Sequence, residues 1–155
     1  MSDQEAVQRL ISHRFFVPHQ TPVQIFNRAT DPFLPSVKPH LFATLAELDQ
    51  RGLKNHVLII TRYRITDPDC AKLNQFANLR LTVLITYSGI SDPRLEPVDS
   101  NIALESLRIA HANADRYRVI LYWRPIVPGI NDSDEQIERV KTESRHAHAV
   151  VFTGL

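Results

Sequence analysis

Clusters of hydrogen-bonding side chains follow each predicted β-strand of this chain, at the point where the strand ends. The first apolar run stops at Asn27-Arg28-Ala29-Thr30-Asp31, which contains an amide, a guanidinium, a hydroxyl and a carboxylate. Their recurrence at every strand end indicates a binding site built from several loops. The later clusters are Thr61-Arg62-Tyr63-Arg64, Thr86-Tyr87-Ser88-Gly89, Arg124-Pro125 with Asn131-Asp132, and Thr153-Gly154.

The elements that would position these groups alternate along the chain. Continuous apolar runs rich in β-branched residues predict strands, and the segments between them have the spacing of amphipathic helices. We expect Ser36, Asp67 and Ser133 to cap the helices that they begin, and Gly52 to end one. The predicted strands are 23–26, 56–61, 81–86, 117–123 and 149–153; the predicted helices are 4–10, 36–51, 67–76, 101–113 and 133–145.

This order of elements predicts an α/β fold with a parallel sheet. Strands that are apolar along their whole length are expected to be buried on both faces, which predicts a parallel sheet covered by helices. Ligands of such folds bind beyond the carboxyl ends of the strands, where the polar clusters would meet. A simpler alternative stays open, because polar loops are common and Asp31-Pro32, Asp67-Pro68 and Asp92-Pro93 are also ordinary ways to begin a helix.

Composition restricts the class of protein. The 155 residues are enough for one domain, which we expect to span residues 1–155. Eighteen basic and seventeen acidic residues give a formal net charge of +1, which favours neither nucleic acid nor an anionic membrane as a partner. The sequence has one cysteine, Cys70, so an internal disulfide is excluded and a cytoplasmic location is expected.

Three loops together resemble radical S-adenosylmethionine proteins, in the subgroup related to spore photoproduct lyase. They are a Thr-Asp-Pro-aromatic turn, an Arg-Leu-Glu-Pro segment and a Pro-x-x-Pro-Gly-x-Asn-Asp loop, in the family's order and spacing. The resemblance covers residues 23–155 and implies a partial, TIM-like (β/α)6 barrel whose second to sixth strands are present. In this chain the motifs are Thr30-Asp31-Pro32-Phe33, Arg94-Leu95-Glu96-Pro97 and Pro125 to Asp132.

The resemblance also implies a small-molecule ligand, S-adenosylmethionine, on the carboxyl-end rim. Thr30 and Asp31 would meet the methionine ammonium group, for which oxygen acceptors are suited. Ser88 and Arg94 would meet the ribose or the carboxylate. The loop that begins at Arg124 and contains Asn131 would lie near the adenine, together with Thr153 and Gly154.

One family feature is missing from the sequence. The family holds a 4Fe–4S cluster on Cys-x3-Cys-x2-Cys after the first barrel strand, and Cys70 matches none of these ligands. We therefore expect a barrel that is incomplete at both ends, and that cannot by itself cleave S-adenosylmethionine reductively to a 5′-deoxyadenosyl radical. A chain carrying the missing cluster segment is the partner that this reaction would need.

Other functions stay open. The chain could be a non-catalytic nucleoside-binding domain, a partner subunit on the same fold, or a scaffold without a ligand. His146-x-His148 is a pair of metal-ligand type, but no third ligand stands beside it in the sequence. Arg62, Tyr63 and Arg64 could bind a phosphate or a nucleic acid, and a solvated loop is the simpler interpretation of all three.

Overall fold

The computed structural model describes residues 1–25 and 30–154, which form alternating helices and strands. Phe26, Asn27 and Arg28, which fall in the first predicted strand and the cluster after it, lie outside the described residues. The helices are α1 (Asp3–Ile11), α2 (Lys38–Gln50), α3 (Asp67–Leu73), α4 (Ser100–Ala112) and α5 (Asp134–Ser144). The strands are β1 (Val23–Ile25), β2 (His56–Thr61), β3 (Arg80–Tyr87), β4 (Tyr117–Ile126) and β5 (Ala149–Gly154).

The five strands form one parallel sheet in the order β1-β2-β3-β4-β5. The predicted α/β class and the parallel sheet are thereby confirmed. Each strand pairs with the strand that follows it in sequence, so the chain always moves in the same direction across the sheet. Because crossovers between parallel strands are right-handed, this order places the connecting helices on one face.

Side-chain burial identifies that helix-covered face. Alternate strand residues, such as Ile59, Val83, Ile85 and Leu121, are fully buried. They form one core cluster with helix residues that include Leu45, Leu48, Leu73, Leu104 and Leu107. The sheet is therefore held to its helices by one continuous apolar layer.

The opposite face of the sheet, here called the open face, carries the other alternate residues. Leu58, Ile60 and Ile120 on this face are partly exposed, and none of them belongs to the core cluster. The apolar runs predicted strands that are buried on both faces, and the structure shows such burial mainly on the helix-covered face. These runs are real, but half of their side chains lie on the open face.

The helix boundaries differ from prediction where caps were assigned. Helix α2 begins at Lys38 behind Val37, so Ser36 does not cap it. Thr66, and not Asp67, caps α3, and it forms a capping box with Asp69. Gly52 has φ +68° and ends α2 as predicted, because a side chain would be strained in that conformation.

Two ion pairs connect the helices across the helix-covered face. Lys38 Nζ of α2 lies 2.7 Å from the buried Asp69 Oδ2 of α3. The Arg108 guanidinium of α4 bonds both oxygens of Glu143 in α5 and holds the pKa of that carboxyl below its ordinary value. Each pair joins two helices that are neighbours on this face, and so helps to hold the helix layer in place.

None of the helices in the described part of the chain has the length and apolar character that crossing a membrane requires.

Candidate functional site at the carboxyl ends of the strands

Asp31 joins the ends of β1 and β2. Its Oδ1 accepts hydrogen bonds from the Phe33 backbone N–H at 2.9 Å and from Thr61 Oγ1 at 2.6 Å. Its Oδ2 accepts one from the Arg62 backbone N–H at 2.8 Å. Asp31 thus fixes the turn after β1 against the next strand.

Thr30 stands next to Asp31 and lines a cavity of about 230 Å³ at the edge of the sheet. The cavity lies between the end of β1 and the first turns of α2, with Ile25, Leu41 and Thr44 in its wall. Most of this wall is apolar. Thr30 therefore offers a hydroxyl at the mouth of a small apolar space.

The loop after β3 folds back over the end of β2. Glu96 Oε1 and Oε2 accept hydrogen bonds from Arg62 Nη1 at 2.9 and 2.8 Å. The Glu96 side chain is only 9% exposed, so this pair closes the rim between β2 and β3. Neither residue was among the predicted ligand contacts, although Glu96 belongs to the Arg-Leu-Glu-Pro motif.

Ser88 is buried at the start of the same loop. Its Oγ lies 3.0 Å from Ser100 Oγ and accepts a hydrogen bond from the Ile90 backbone N–H at 3.2 Å. Gly89 follows with φ +71°, and a Cβ there would lie 2.8 Å from Gln136 Oε1. The loop therefore packs against α5 at a point where only glycine fits.

Asn131 organises the loop after β4. It is fully buried, and its Nδ2 donates to the carbonyl oxygens of Ser88 and Pro125. Its Oδ1 accepts from the Val127 backbone N–H at 2.7 Å. The three bonds connect the loops after β3 and β4, so the geometry gives Asn131 a positioning role at the rim.

The carboxyl end of the open face carries a second group of side chains. Thr86, Tyr122 and Val151 lie side by side on β3, β4 and β5. Arg124 is one step further along β4, with its guanidinium carbon 5.1 Å from the Tyr122 ring centroid. Thr153 follows Val151 on the same face of β5 and is exposed. This group combines an aromatic ring, a guanidinium and hydroxyls on a surface that solvent reaches.

The predicted site residues therefore divide into three sets. Asp31, Ser88 and Asn131 are brought together in the hydrogen-bonded rim, Arg124 and Thr153 lie on the open face, and Thr30 lines the cavity at the edge of the sheet. Arg94 joins none of these sets, because its side chain is 87% exposed and pairs with Asp92 two residues away. Sequence analysis missed Tyr122, although its position two residues before Arg124 on a strand places both on one face.

The single thiol does not suit an iron–sulfur cluster. Cys70 is fully buried in α3, and burial raises the pKa of its thiol. A 4Fe–4S cluster is held by several thiolates at an accessible site. The residues of this chain therefore do not fit the cluster that the family resemblance implies.

The histidine pair acquires a neighbour from another element. His111 of α4 has its ring centroid 5.0 Å from that of His148 and 6.3 Å from that of His146. His148 Nδ1 accepts a hydrogen bond from the Val119 backbone N–H, so its Nε2 carries the proton of the neutral ring. That nitrogen has no lone pair for a metal. No group of metal-ligand residues forms among the described residues.

Comparisons with known proteins add nothing to this geometry. No protein-family model and no curated protein sequence matches the chain.

Proposed function

We propose that the chain is a nucleoside-binding domain of the radical S-adenosylmethionine type, with S-adenosylmethionine as its ligand. The sheet would be the second to sixth strands of an open (β/α)6 barrel, and the open face would be the barrel interior. The ligand would lie at the carboxyl end of that face. The loop resemblance motivates this choice, and the arrangement at Arg124 is the observation that carries it.

The sheet order supports a barrel. Five parallel strands in sequential order, with right-handed crossovers on one face, are the topology from which barrels are closed. Doubly wound sheets reverse the strand order and cover both faces. A parallel sheet rarely leaves one face bare. Closure around the open face is therefore consistent with its apolar row, formed by Ile60, Leu84, Ile120 and Ala149.

Arg124 supports a ligand with a carboxylate. Among the described residues it has no acidic partner within ion-pair distance, whereas Arg62 and Arg94 both have one. A guanidinium held over an aromatic ring can form a bidentate pair with a carboxylate. Thr153 and Tyr122 add hydroxyls suited to a ribose. An amino-acid-bearing nucleoside matches this combination.

The chain alone would bind and orient the ligand. Because its residues do not fit the iron–sulfur cluster, reductive cleavage is not assigned to this chain. A second chain that supplies the cluster would be required for that activity. Without such a chain, the proposed function is binding.

Titration of the purified protein with S-adenosylmethionine and with 5′-deoxyadenosine tests the proposal. Calorimetry should measure both affinities, because the single tryptophan, Trp123, belongs to the core cluster and not to the open face. We expect both ligands to bind. Arg124→Gln should weaken S-adenosylmethionine about tenfold, because a charge-assisted bond is lost, and should leave 5′-deoxyadenosine unchanged, because it has no carboxylate.

Arg94→Gln is the matched control, since it removes the same charge from an exposed arginine and should change neither affinity. Failure of the wild-type protein to bind either ligand would overturn the proposal. Weakening by Arg94→Gln and not by Arg124→Gln would move the carboxylate site to the loop after β3. Reconstitution with iron and sulfide should give no protein-bound cluster of about four irons per chain.

A further inference from the structure

The opposite end of the sheet holds a cavity of about 240 Å³ among the amino ends of β2, β3 and β4. Arg80 begins β3 and Arg116 directly precedes β4, and the two stand one residue before the paired residues Leu81 and Tyr117. They are therefore opposite one another across the strands. Arg118 lines the same cavity and is paired in register with Thr82.

These three arginines are not neutralised by protein contacts. No carboxylate of the described residues lies within ion-pair distance of any of them, whereas five other arginines each have one: Arg51, Arg62, Arg64, Arg94 and Arg108. Asp115 is the single acidic residue in the cavity wall. Like charges opposite each other on neighbouring strands are destabilising, so a bound anion would stabilise this arrangement.

The hydrogen-bond geometry at Arg118 also indicates a missing acceptor. Arg118 Nη1 lies 3.5 Å from His148 Nε2. Because the Val119 N–H donates to His148 Nδ1, Nε2 carries a proton, and both facing nitrogens are donors. Two donors this close are reconciled when one oxygen accepts from both. An oxyanion beside Arg118 would supply that oxygen.

We propose that this cavity is a binding site for a phosphate group, held by Arg80, Arg116 and Arg118 with the Thr82 hydroxyl as a further donor. Guanidinium groups bind phosphate oxygens through paired N–H donors, and three of them suit a multiply charged anion. The cavity is smaller than those of most drug-sized ligands, which fits a phosphate or pyrophosphate group better than a large apolar molecule. The site lies at the end of the sheet opposite the proposed nucleoside site and is independent of it.

Calorimetric titration with inorganic phosphate and with pyrophosphate, at constant ionic strength, tests the proposal. We expect saturable binding that is tighter for pyrophosphate. Arg80→Gln and Arg118→Gln should each weaken pyrophosphate at least about tenfold, which corresponds to about 1.4 kcal/mol. Both side chains are exposed at the sheet end, so the variants should still fold, and a loss of affinity would not come from unfolding.

Arg9→Gln in α1 is the control, because it removes the same charge from an exposed arginine on another element. An equal loss of affinity in this variant would show diffuse attraction and would overturn the site. Absence of wild-type binding to both anions would overturn it as well.

The phosphate could belong to a small molecule or to a nucleic-acid backbone, and a third titration distinguishes them. A single-stranded oligothymidylate that binds more tightly than pyrophosphate, with the same dependence on Arg80 and Arg118, identifies the backbone as the source and supports the site. Pyrophosphate binding without oligonucleotide binding supports a small phosphate-bearing ligand. Oligonucleotide binding that is indifferent to both arginines contradicts the proposal.

Discussion

The two ends of the parallel sheet differ in how many of their polar side chains already bond other protein groups. At the carboxyl end, Asp31, Glu96 and Asn131 have their polar atoms engaged by other protein groups. At the amino end, Arg80 and Arg118 have no acidic partner within ion-pair distance among the described residues, and their guanidinium groups contact ring nitrogens of His56 and His148 instead. A cluster of polar side chains can therefore be either a ligand-binding site or a set of hydrogen bonds that holds the fold together, and their number alone does not tell which.

This difference indicates which polar groups can still gain a hydrogen bond from a ligand. A side chain that already bonds its neighbours stabilises the fold, and a ligand must replace those bonds before it gains any. A guanidinium that has no acceptor gains a full charge-assisted bond when an anion arrives. Substitutions of the engaged groups at the carboxyl end should thus reduce stability, whereas substitutions of arginines without an acidic partner, Arg124 and those at the amino end, should reduce affinity.

Asn131→Asp should give the largest loss of stability. The carboxylate would face the carbonyl oxygens of Ser88 and Pro125 where an N–H₂ now donates, in a fully buried position. We expect the free energy of unfolding to fall by about 3 kcal/mol, measured by urea denaturation. Asn101→Asp, on the exposed first turn of α4, should change it by less than about 0.5 kcal/mol. Similar values for both variants would contradict the assigned role of Asn131.

Asp31→Asn should come next. One carboxylate oxygen is replaced by an amide N–H₂, which donates and does not accept. The side chain therefore loses its hydrogen bond to either Thr61 or the Arg62 backbone N–H. The loss should be about 1–3 kcal/mol by the same denaturation measurement. Asp134→Asn, on the exposed first turn of α5, is the matched control and should change stability by less than about 0.5 kcal/mol. If Asp31→Asn is as stable as the wild type, the carboxylate is free for a ligand and the contrast between the ends disappears.

Two arginine substitutions should have opposite signs. Arg62→Gln leaves the nearly buried Glu96 without its partner and should lower stability by about 1 kcal/mol. Arg80→Gln removes a repulsion from Arg116 and should raise stability slightly at low salt, an increase that fades as salt is added. Melting temperatures at two salt concentrations measure both effects. A decrease for Arg80→Gln would mean that its charge is already compensated.

The smallest effect should be a dependence on pH from His148. Burial, together with the neighbouring His111 and Arg118, holds the pKa of His148 below its ordinary value, and the Val119 N–H occupies Nδ1. The unfolded chain therefore binds a proton at higher pH than the folded chain does. The contribution of His148 to the free energy of unfolding is therefore fully present above the ordinary pKa of histidine. It decreases as pH falls from there toward the lower pKa of the folded state.

His148→Asn should flatten the stability profile in that pH window, as measured by urea denaturation at a series of pH values. His13→Asn is the control, since that ring lies away from the cluster and contacts Phe15. Profiles of the wild type and His148→Asn with the same slope would show that His148 titrates alike in both states.

Much of the fold followed from local patterns. The limits of β2 matched prediction, because a β-branched apolar run is itself the strand signal. Gly52 ended α2 as expected because its left-handed conformation is a property of one residue. Ser36 and Asp67 failed as caps because several adjacent residues can accept from the first helical N–H groups, and only the path of the chain selects one.

The candidate site was less predictable, because each polar group there depends on a partner far along the chain. Glu96 lies 34 residues from Arg62, and Asn131 lies 43 residues from Ser88. Nothing in either loop alone shows that these residues bond each other. The spacing predicted that Arg124 and Thr153 lie at strand ends. It did not show which face of the sheet they share with Tyr122.

Local sequence patterns were enough to predict the alternation of parallel strands and helices and the polar character of every strand end, because periodicity and turn chemistry act over a few residues. The tertiary structure was needed to show which face of the sheet the helices cover and which polar groups already bond other protein groups. Strand order and long-range hydrogen bonds settle those questions, and both arise from packing between segments that are distant in the chain. The same packing brought Arg80, Arg116 and Arg118 around one cavity, which their separate positions in the sequence did not reveal.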